Sequence, residues 1–542
     1  MKKYHYLFIL AFAMSLSCQP VKVKDQKTLV QVENIKSEYW PNVVTYEIFI
    51  QSFADSNGDG IGDFNGATAK LDYLQDLGIE AVWLMPIMES PSYHKYDVTN
   101  YKSVHPDYGT VEEFKTFVSE AHKRGISVII DLIINHTSNS HPWFVESQKG
   151  KDNPYRDYYN WQLVTDVRDD ISKREISHDS DNVTQWHKAD GNEALYYGFF
   201  YGGMPDLNFD NPKVLEEILD IGKFWLTEVG IDGFRMDAAK HIFRDHRAAD
   251  NHRFWKKFRT GMEAINPDVY IVGEVWADAK TAAPYSEGLP VLFNFDLAFS
   301  ILETVKNEKV SASFISGHGH ETIQNTSLIG KFIENKKTFQ DTNPNFTDGV
   351  FLSNHDQNRA MSVLGDDINK AKLAAAIYLT LPGQPYIYYG EEIGMKGQKP
   401  DEMIREPFLW DIEANDINRT KWVKPSYTSD STVNPLSQQL VDESSIVNFY
   451  KKLIAIRKST SALSTGDLAI TDIDDNEILS YYRLDGNDSI LVIHNLSTSE
   501  KKIERTVSFG GFNQIQFVSN GASIIEGKII VPGMSSIILS QE

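Results

Sequence analysis

The sequence predicts an α/β fold: a (β/α)₈ TIM barrel with a subdomain inserted after the third strand and an antiparallel β-sandwich domain at the C-terminal end. Three observations lead there. Eight short apolar, β-branched or aromatic runs recur along the chain, separated by helical stretches. About a hundred residues separate the third run from the fourth. Beyond about residue 460 the helical pattern gives way to short alternating runs with Gly and Asn turns.

The eight runs are Val43–Ile50, Ala81–Ile87, Ser127–Ile134, Gly233–Ala238, Tyr270–Trp276, Val291–Leu297, Gly349–Asp356 and Pro385–Glu391. Near-continuous apolar strands alternating with amphipathic helices indicate a parallel sheet buried on both faces. Eight of them suggest a closed barrel. The helix expected over Val111–Arg124 stops at Gly125, a C-terminal glycine before the next strand. The inserted stretch, 137–203, is rich in Asp, Asn, Tyr and Trp. The barrel is therefore assigned to 39–136 and 204–459, the insertion to 137–203, and a β-domain to 460–542.

The N-terminus reads as a targeting segment. Lys2 and Lys3 precede a short apolar run, Tyr6–Leu16, and Ser15, Leu16 and Ser17 lead into Cys18, the single cysteine. The run is too short to span a bilayer, which takes about 20 residues. It resembles a bacterial lipoprotein signal, with Leu16 one place closer to the cysteine than usual. A signal over 1–18 with lipid on Cys18, and a polar tether over 19–38, are expected. Export to the periplasmic or outer face of a membrane follows. One cysteine excludes internal disulfides.

The chain carries 53 basic and 75 acidic residues, a net charge of −22. General electrostatic attraction to nucleic acid or anionic lipid is excluded, and no protein partner is evident. A neutral substrate is compatible with that charge. Aromatic residues, 12% of the chain, offer faces for sugar rings as well as core packing.

In a barrel of this class the functional groups sit just past the C-terminal strand ends. Four runs end on polar residues: Asp131 to Asn135-His136, Arg235 to Asp237, Glu274 to Trp276, and Asn354-His355-Asp356. Burying such groups is costly unless they share a site. Asp237, Glu274 and Asp356 with two His and one Arg at one mouth form the chemistry of a glycosidase. One carboxylate attacks the anomeric carbon, and a second, protonated one serves the leaving oxygen.

These blocks, Asp131–His136, Gly233–His241, Ile271–Trp276 and Phe351–Arg359, with Met204-Pro-Asp-Leu-Asn208 in the insertion, resemble the α-amylase family of glycoside hydrolases (family 13) in order and spacing. The resemblance runs from about Tyr39 to the end. It implies Asp237 as nucleophile, Glu274 as acid/base and Asp356 as the third carboxylate, on the sugar 2- and 3-hydroxyls. It implies Arg235 as the nucleophile's partner. His136 and His355 would bond the reacting sugar, and His94 and Tyr96 would bind and stack on it. Lys95 stands between that pair where the family has Gly. The resemblance also suggests an Asp97–Arg359 ion pair closing the far side of the pocket, with Lys240 and His241 on the leaving-group side.

A second set, Asp55, Asn57, Asp59, Ile61 and Asp63, places oxygen ligands at alternate positions, with Gly60 sixth. This resembles the start of an EF-hand loop, but the twelfth position is Gly66 where an EF-hand has Glu. α-Amylase relatives bind calcium in such a loop, so Ca²⁺ is expected on those four side chains and the Ile61 carbonyl.

The Met204–Asn208 block is similar to the group intermediate between oligo-1,6-glucosidases and neopullulanases, which includes membrane-tethered bacterial α-amylases. The residue after the nucleophile is Ala238, and in related glucosidases a small residue there goes with α-1,4 bonds and Val with α-1,6, so the resemblance implies α-1,4 specificity. An endo-acting α-1,4 enzyme on starch-like glucans and maltooligosaccharides is therefore expected. An exo-acting α-glucosidase or oligo-1,6-glucosidase is the alternative. A transglycosylase and an inactive glucan-binding relative stand further off.

Overall fold

The computed structural model describes residues 43–168, 184–315, 322–504 and 509–541. The expected signal, the tether and Cys18 lie outside those residues.

Eight parallel strands close into a barrel: β1 (Thr45–Ile48), β2 (Ala81–Leu84), β3 (Ser127–Leu132), β4 (Gly233–Met236), β5 (Tyr270–Gly273), β6 (Val291–Phe293), β7 (Thr347–Val350) and β8 (Gln384–Tyr388). They pair in chain order, and β8 returns to β1. Each expected run overlaps one strand, but the ladders end before the runs do, and β7 and β8 begin before the expected Gly349 and Pro385. Apolar residues past the ladder serve the loops: Ile50 opens the helix Ile50–Phe53, and Phe295 opens the helix Phe295–Asn307.

Period-2 alternation sorts the side chains. Tyr46, Ile48, Val82, Leu84 and Ile271 face the helical layer, while Ala81, Trp83, Ile129, Tyr270, Val272 and Phe293 fill the barrel. Burying each large apolar side chain is worth about 1.5–3 kcal/mol. Low in the barrel the polar atoms are paired: the Tyr270 hydroxyl donates to Gln384 Oε1 at 2.6 Å, and Gln384 Nε2 to Thr45 Oγ1 at 2.9 Å. The parity that points Trp83 inward also brings Glu47, Asp131 and Arg235 to the mouth.

The helix after β2 spans Val111–Lys123. Thr110 and Glu113 close a reciprocal cap at its start, and Gly125 at φ 70° follows its end. The insertion between β3 and β4 carries the helix Pro142–Ser147 and a three-stranded antiparallel sheet, Trp161–Leu163, Ala194–Tyr197 and Trp186–Lys188, with the second of these in the middle.

The C-terminal end holds β9 (Asp467–Ile470), β10 (Ile478–Asp485), β11 (Asp488–Asn495), β12 (Phe512–Val518) and β13 (Ser535–Gln541) in the order β9-β10-β11-β13-β12. A three-stranded sheet shares a core with them through Ile493, Ile529, Ile537 and Leu539. Helix persists slightly beyond the expected limit, as Ser461–Ser464. Two buried arginines lie where this domain meets the barrel, Arg457 on the barrel's helix Ile446–Ser459 and Arg483 on β10, and only Arg483 bridges the two. Arg457 donates to the carbonyls of Leu379 (2.9 Å) and Leu381 (3.0 Å), and Arg483 to those of Thr380 (2.5 Å) and Gly466 (2.8 Å).

Candidate active site

The mouth of the barrel is organised by one guanidinium. Arg235, 1% exposed on β4, donates through Nη1 to both oxygens of Asp131 (2.9 and 3.1 Å) and to Asp237 Oδ1 (2.6 Å). Its Nη2 lies 2.9 Å from Glu274 Oε2. Asp131 and Arg235 are register partners on β3 and β4, so the sheet itself sets their pairing. Glu274 follows the end of β5, and its Oε2 also accepts the Ala238 N–H at 3.0 Å. Ala238 holds φ 47°, a left-handed backbone that costs an alanine about 1 kcal/mol. That turn ends β4 and sets Asp237 over the mouth.

Asp237 and Glu274 thus stand on one guanidinium at the same mouth, two carboxyl groups in reach of one substrate as glycoside hydrolysis needs. Burial pushes Glu274 up to about 7, against the pull of Arg235, and the charges of Asp237 and Asp356 add to the rise.

The third carboxylate sits in a second network. His355, fully buried after β7, holds Glu47 Oε1 through Nδ1 (2.6 Å), while its Nε2 lies 3.1 Å from Asp356 Oδ2 and 2.5 Å from the Tyr96 hydroxyl. Burial opposes charge on this imidazole, but Asp356 and Glu47 outweigh it and raise it to about 10. Burial likewise works to raise Asp356; His355 and Arg405 beside it win, and hold it well below the usual carboxylate range. Tyr96 stacks on His355 at 5.6 Å and 14°.

His94 Nδ1 accepts the Tyr96 N–H at 3.1 Å, and burial lowers this imidazole to about 4. The neutral ring therefore carries its proton on Nε2, a donor for a sugar hydroxyl. Lys95, between His94 and Tyr96, fits a position that favours glycine. Its backbone takes the left-handed φ of 64°, and Nζ turns back to the Ser92 carbonyl at 2.7 Å. His136 follows β3, with Nε2 3.2 Å from the Tyr96 carbonyl. Lys240 and His241 line the same cleft, His241 stacked on Phe199 at 4.0 Å. The cleft encloses about 530 Å³, within the usual range for ligand sites.

One expectation is corrected. Asp97 and Arg359 do not pair. Asp97 is capped by the hydroxyls of Ser90 (2.7 Å) and Ser92. Arg359 is buried, stacked on Tyr388 and Tyr389, and donates to the carbonyls of Tyr389 (2.7 Å) and Ile404 (2.9 Å). The arginine that does reach the site is Arg405, which the sequence reading missed. It donates through Nη2 to Asp356 Oδ1 (3.1 Å) and Asp401 Oδ2 (3.2 Å), and through Nε to the His355 carbonyl (2.9 Å). Glu47 was missed too. A charged residue inside an apolar run at a strand's inward parity was its signal. Trp143, Trp161 and Trp186 of the insertion take the packing role that outweighs sugar binding for such residues, and none of them lines the cleft. Trp161 stacks on Phe144 at 5.8 Å under Arg156, and the others pack on neighbouring rings.

The five expected calcium ligands lie in one loop after β1. Asp55 accepts the N–H groups of Asn57, Gly58 and Gly60 at 2.7–3.0 Å, and Asp59 that of Ile61 at 2.8 Å. Asp63 holds Ser56 and caps the helix Phe64–Ala69 through the Gly66 N–H at 2.8 Å. The donor set is all oxygen, as Ca²⁺ requires, and a carboxylate offers about four lone-pair sites, so these bonds leave capacity for a cation. Among the described residues no three acidic or His side chains already converge as a metal cluster. The Asn57 amide and the Ile61 carbonyl would have to complete the shell.

The sequence as a whole agrees with this geometry. The family model "Alpha amylase, catalytic domain" matches residues 47–466, and "Alpha-amylase SusG C-terminal domain" matches 478–538. The chain belongs to the α-amylase family of glycoside hydrolases. It is 42% identical to Alpha-amylase 3 of Dictyoglomus thermophilum, over 94% of this chain and 95% of that one. It is 32% identical to an oligo-1,6-glucosidase of Parageobacillus thermoglucosidasius, over 85% and 90%. The crystal structure of an α-amylase from H. orenii superposes with a TM-score of 0.80 at 38% identity, covering 93% of this chain and all of that one. The protein is thus an α-amylase-type glycoside hydrolase on a (β/α)₈ barrel.

Proposed function

We propose that the chain is an endo-acting, retaining α-amylase that cleaves internal α-1,4 bonds of starch-like glucans and maltooligosaccharides. The carrying observation is the shared guanidinium. Arg235 holds Asp237 and Glu274 on neighbouring nitrogens, while burial keeps the Glu274 proton available near neutral pH.

Asp237 attacks the anomeric carbon as Glu274 gives its proton to the departing glycosidic oxygen. The C–O bond breaks, and a covalent glycosyl-enzyme forms on Asp237. Glu274, now a carboxylate, takes a proton from water, whose oxygen displaces Asp237 and restores the original anomer. Asp356, ionised between His355 and Arg405, accepts from sugar hydroxyls. His94 and His136 add hydrogen bonds, and the ring lies along Tyr96.

Endo action is supported by the missing Asp97–Arg359 pair, because the contact that would close the far end of the pocket does not form. The test is product distribution from a long α-1,4-glucan, followed with iodine staining. Early collapse of staining with mixed maltooligosaccharides is expected. Glucose from the first minute with persistent staining replaces this reading by an exo-acting α-glucosidase. Products longer than a maltooligosaccharide substrate would mark a transferase.

The same proposal includes Ca²⁺ on Asp55, Asn57, Asp59, Asp63 and the Ile61 carbonyl. The ion would supply a fixed cross-link within the loop that leads from β1. It also includes lipid on Cys18 and anchoring at a bacterial membrane, supported by Lys2, Lys3 and the apolar run before the cysteine. Labelled palmitate incorporated by the wild type but not by Cys18→Ser is expected. Protease accessibility in intact cells distinguishes the outer face from the periplasm.

A further inference from the structure

We propose that Tyr201 is a sugar-stacking platform, set in place by Gly203, that binds a glucose unit of the chain beyond the ring being cleaved. The inference rests on the glucan-hydrolase reading and names a specificity residue within it.

Tyr201 lies on the insertion and lines the cleft that holds Asp237 and Glu274, yet it is 45% exposed. The tryptophans of the same insertion are taken up in packing; this ring is not. One side of it rests on Gly203. A Cβ on that glycine would stand 2.2 Å from Cε2, 2.5 Å from Cζ and 2.6 Å from the hydroxyl oxygen of Tyr201. Gly203 does not adopt a left-handed φ, so its backbone would accept alanine. The glycine is there for the ring, not for the turn.

The segment beneath the ring is fixed on both sides. The Met204 N–H donates to the Tyr201 carbonyl at 2.9 Å, and the Asn139 N–H to the Gly203 carbonyl at 2.9 Å. The Tyr196 hydroxyl donates to the Gly202 carbonyl at 2.6 Å. An aromatic face held this way loses little freedom when a ligand covers it. The C–H face of a pyranose, apolar and flat, is the ligand chemistry that matches it.

The test compares Tyr201→Ala, Tyr201→Phe, Gly203→Ala and the double variant Tyr201→Ala/Gly203→Ala. KM and kcat are read on maltotriose through maltoheptaose, with Tm checked for each protein. Tyr201→Ala is expected to raise KM for maltoheptaose about threefold to tenfold, the range for one lost ring contact. Its kcat should stay near wild type, with a smaller effect on maltotriose. Tyr201→Phe should keep wild-type values, since the face and not the hydroxyl binds. Gly203→Ala should raise KM by displacing the ring, and the double variant should be no worse than Tyr201→Ala alone. An unchanged KM for maltoheptaose in a folded Tyr201→Ala overturns the proposal. So does a loss equal at every chain length, or one reproduced by Tyr201→Phe. A wild type that releases only glucose instead overturns the endo-acting reading, and the comparison of variants can still be read.

Discussion

Raising the pH through neutrality should shut off the first chemical step through one group, Glu274. Its carboxyl stands at about 7, against an ordinary 4.5. At about 1.4 kcal/mol per pH unit, the protonated form is favoured by about 3 kcal/mol more than in water. The main cause is burial at the barrel mouth, where the side chain is 12% exposed. For a natural glucan, kcat/KM is expected to fall about tenfold per pH unit above 7, as the acid is lost. A dinitrophenyl α-maltoside, whose leaving group departs as a stable phenolate, needs no proton in that step. On it, Glu274→Gln should give a burst of phenolate with no alkaline limb, then stall, because no base remains to activate water. The same group affects stability, with a definite sign. A carboxyl raised on folding binds more protons folded than unfolded, so stability falls as pH rises from 4.5 to about 7. Glu274→Gln should therefore gain Tm relative to wild type at pH 8 and not at pH 4. An alkaline limb that persists in Glu274→Gln, or a wild-type limb near 4.5, refutes this account.

Arg405→Ala removes a charge-assisted hydrogen bond from Asp356, worth about 1.5–3 kcal/mol, and should lower kcat/KM on maltoheptaose about 10- to 100-fold with the fold intact by circular dichroism. Lys95→Gly relieves the left-handed strain and should hold or raise Tm, whereas Lys95→Val, β-branched at φ 64°, should lower Tm by several degrees. Chelation should lower Tm in the wild type, with excess Ca²⁺ restoring it, and Asp55→Ala should abolish that response. A Tm indifferent to chelator and ion refutes the calcium assignment.

How far the sequence reaches is governed by periodicity. β1 to β8 were legible because strands buried on both faces are apolar throughout and these runs recur at intervals set by the intervening helices; the helix Ile368–Thr380, buried continuously from Leu373 to Thr380, is told from them by its length. The carboxylates proposed to be catalytic were legible for the opposite reason: Asp237, Glu274 and Asp356 are polar where those runs end. Arg405 was not, because it sits in an irregular segment after β8, where neither period nor strand end marks it. Nothing local tells it apart from Arg359, which resemblance put at the cleft and which packing buries against Tyr388 and Tyr389. The two differ in where their nitrogens can be satisfied. Arg359 has backbone carbonyls within reach and stays inside, whereas Arg405 finds Asp356 and Asp401 at the cleft wall. A buried cation goes where acceptors converge. That convergence joins a loop beyond β8 to the end of β7, a contact between residues 49 positions apart in sequence, and only the closed barrel brings them together.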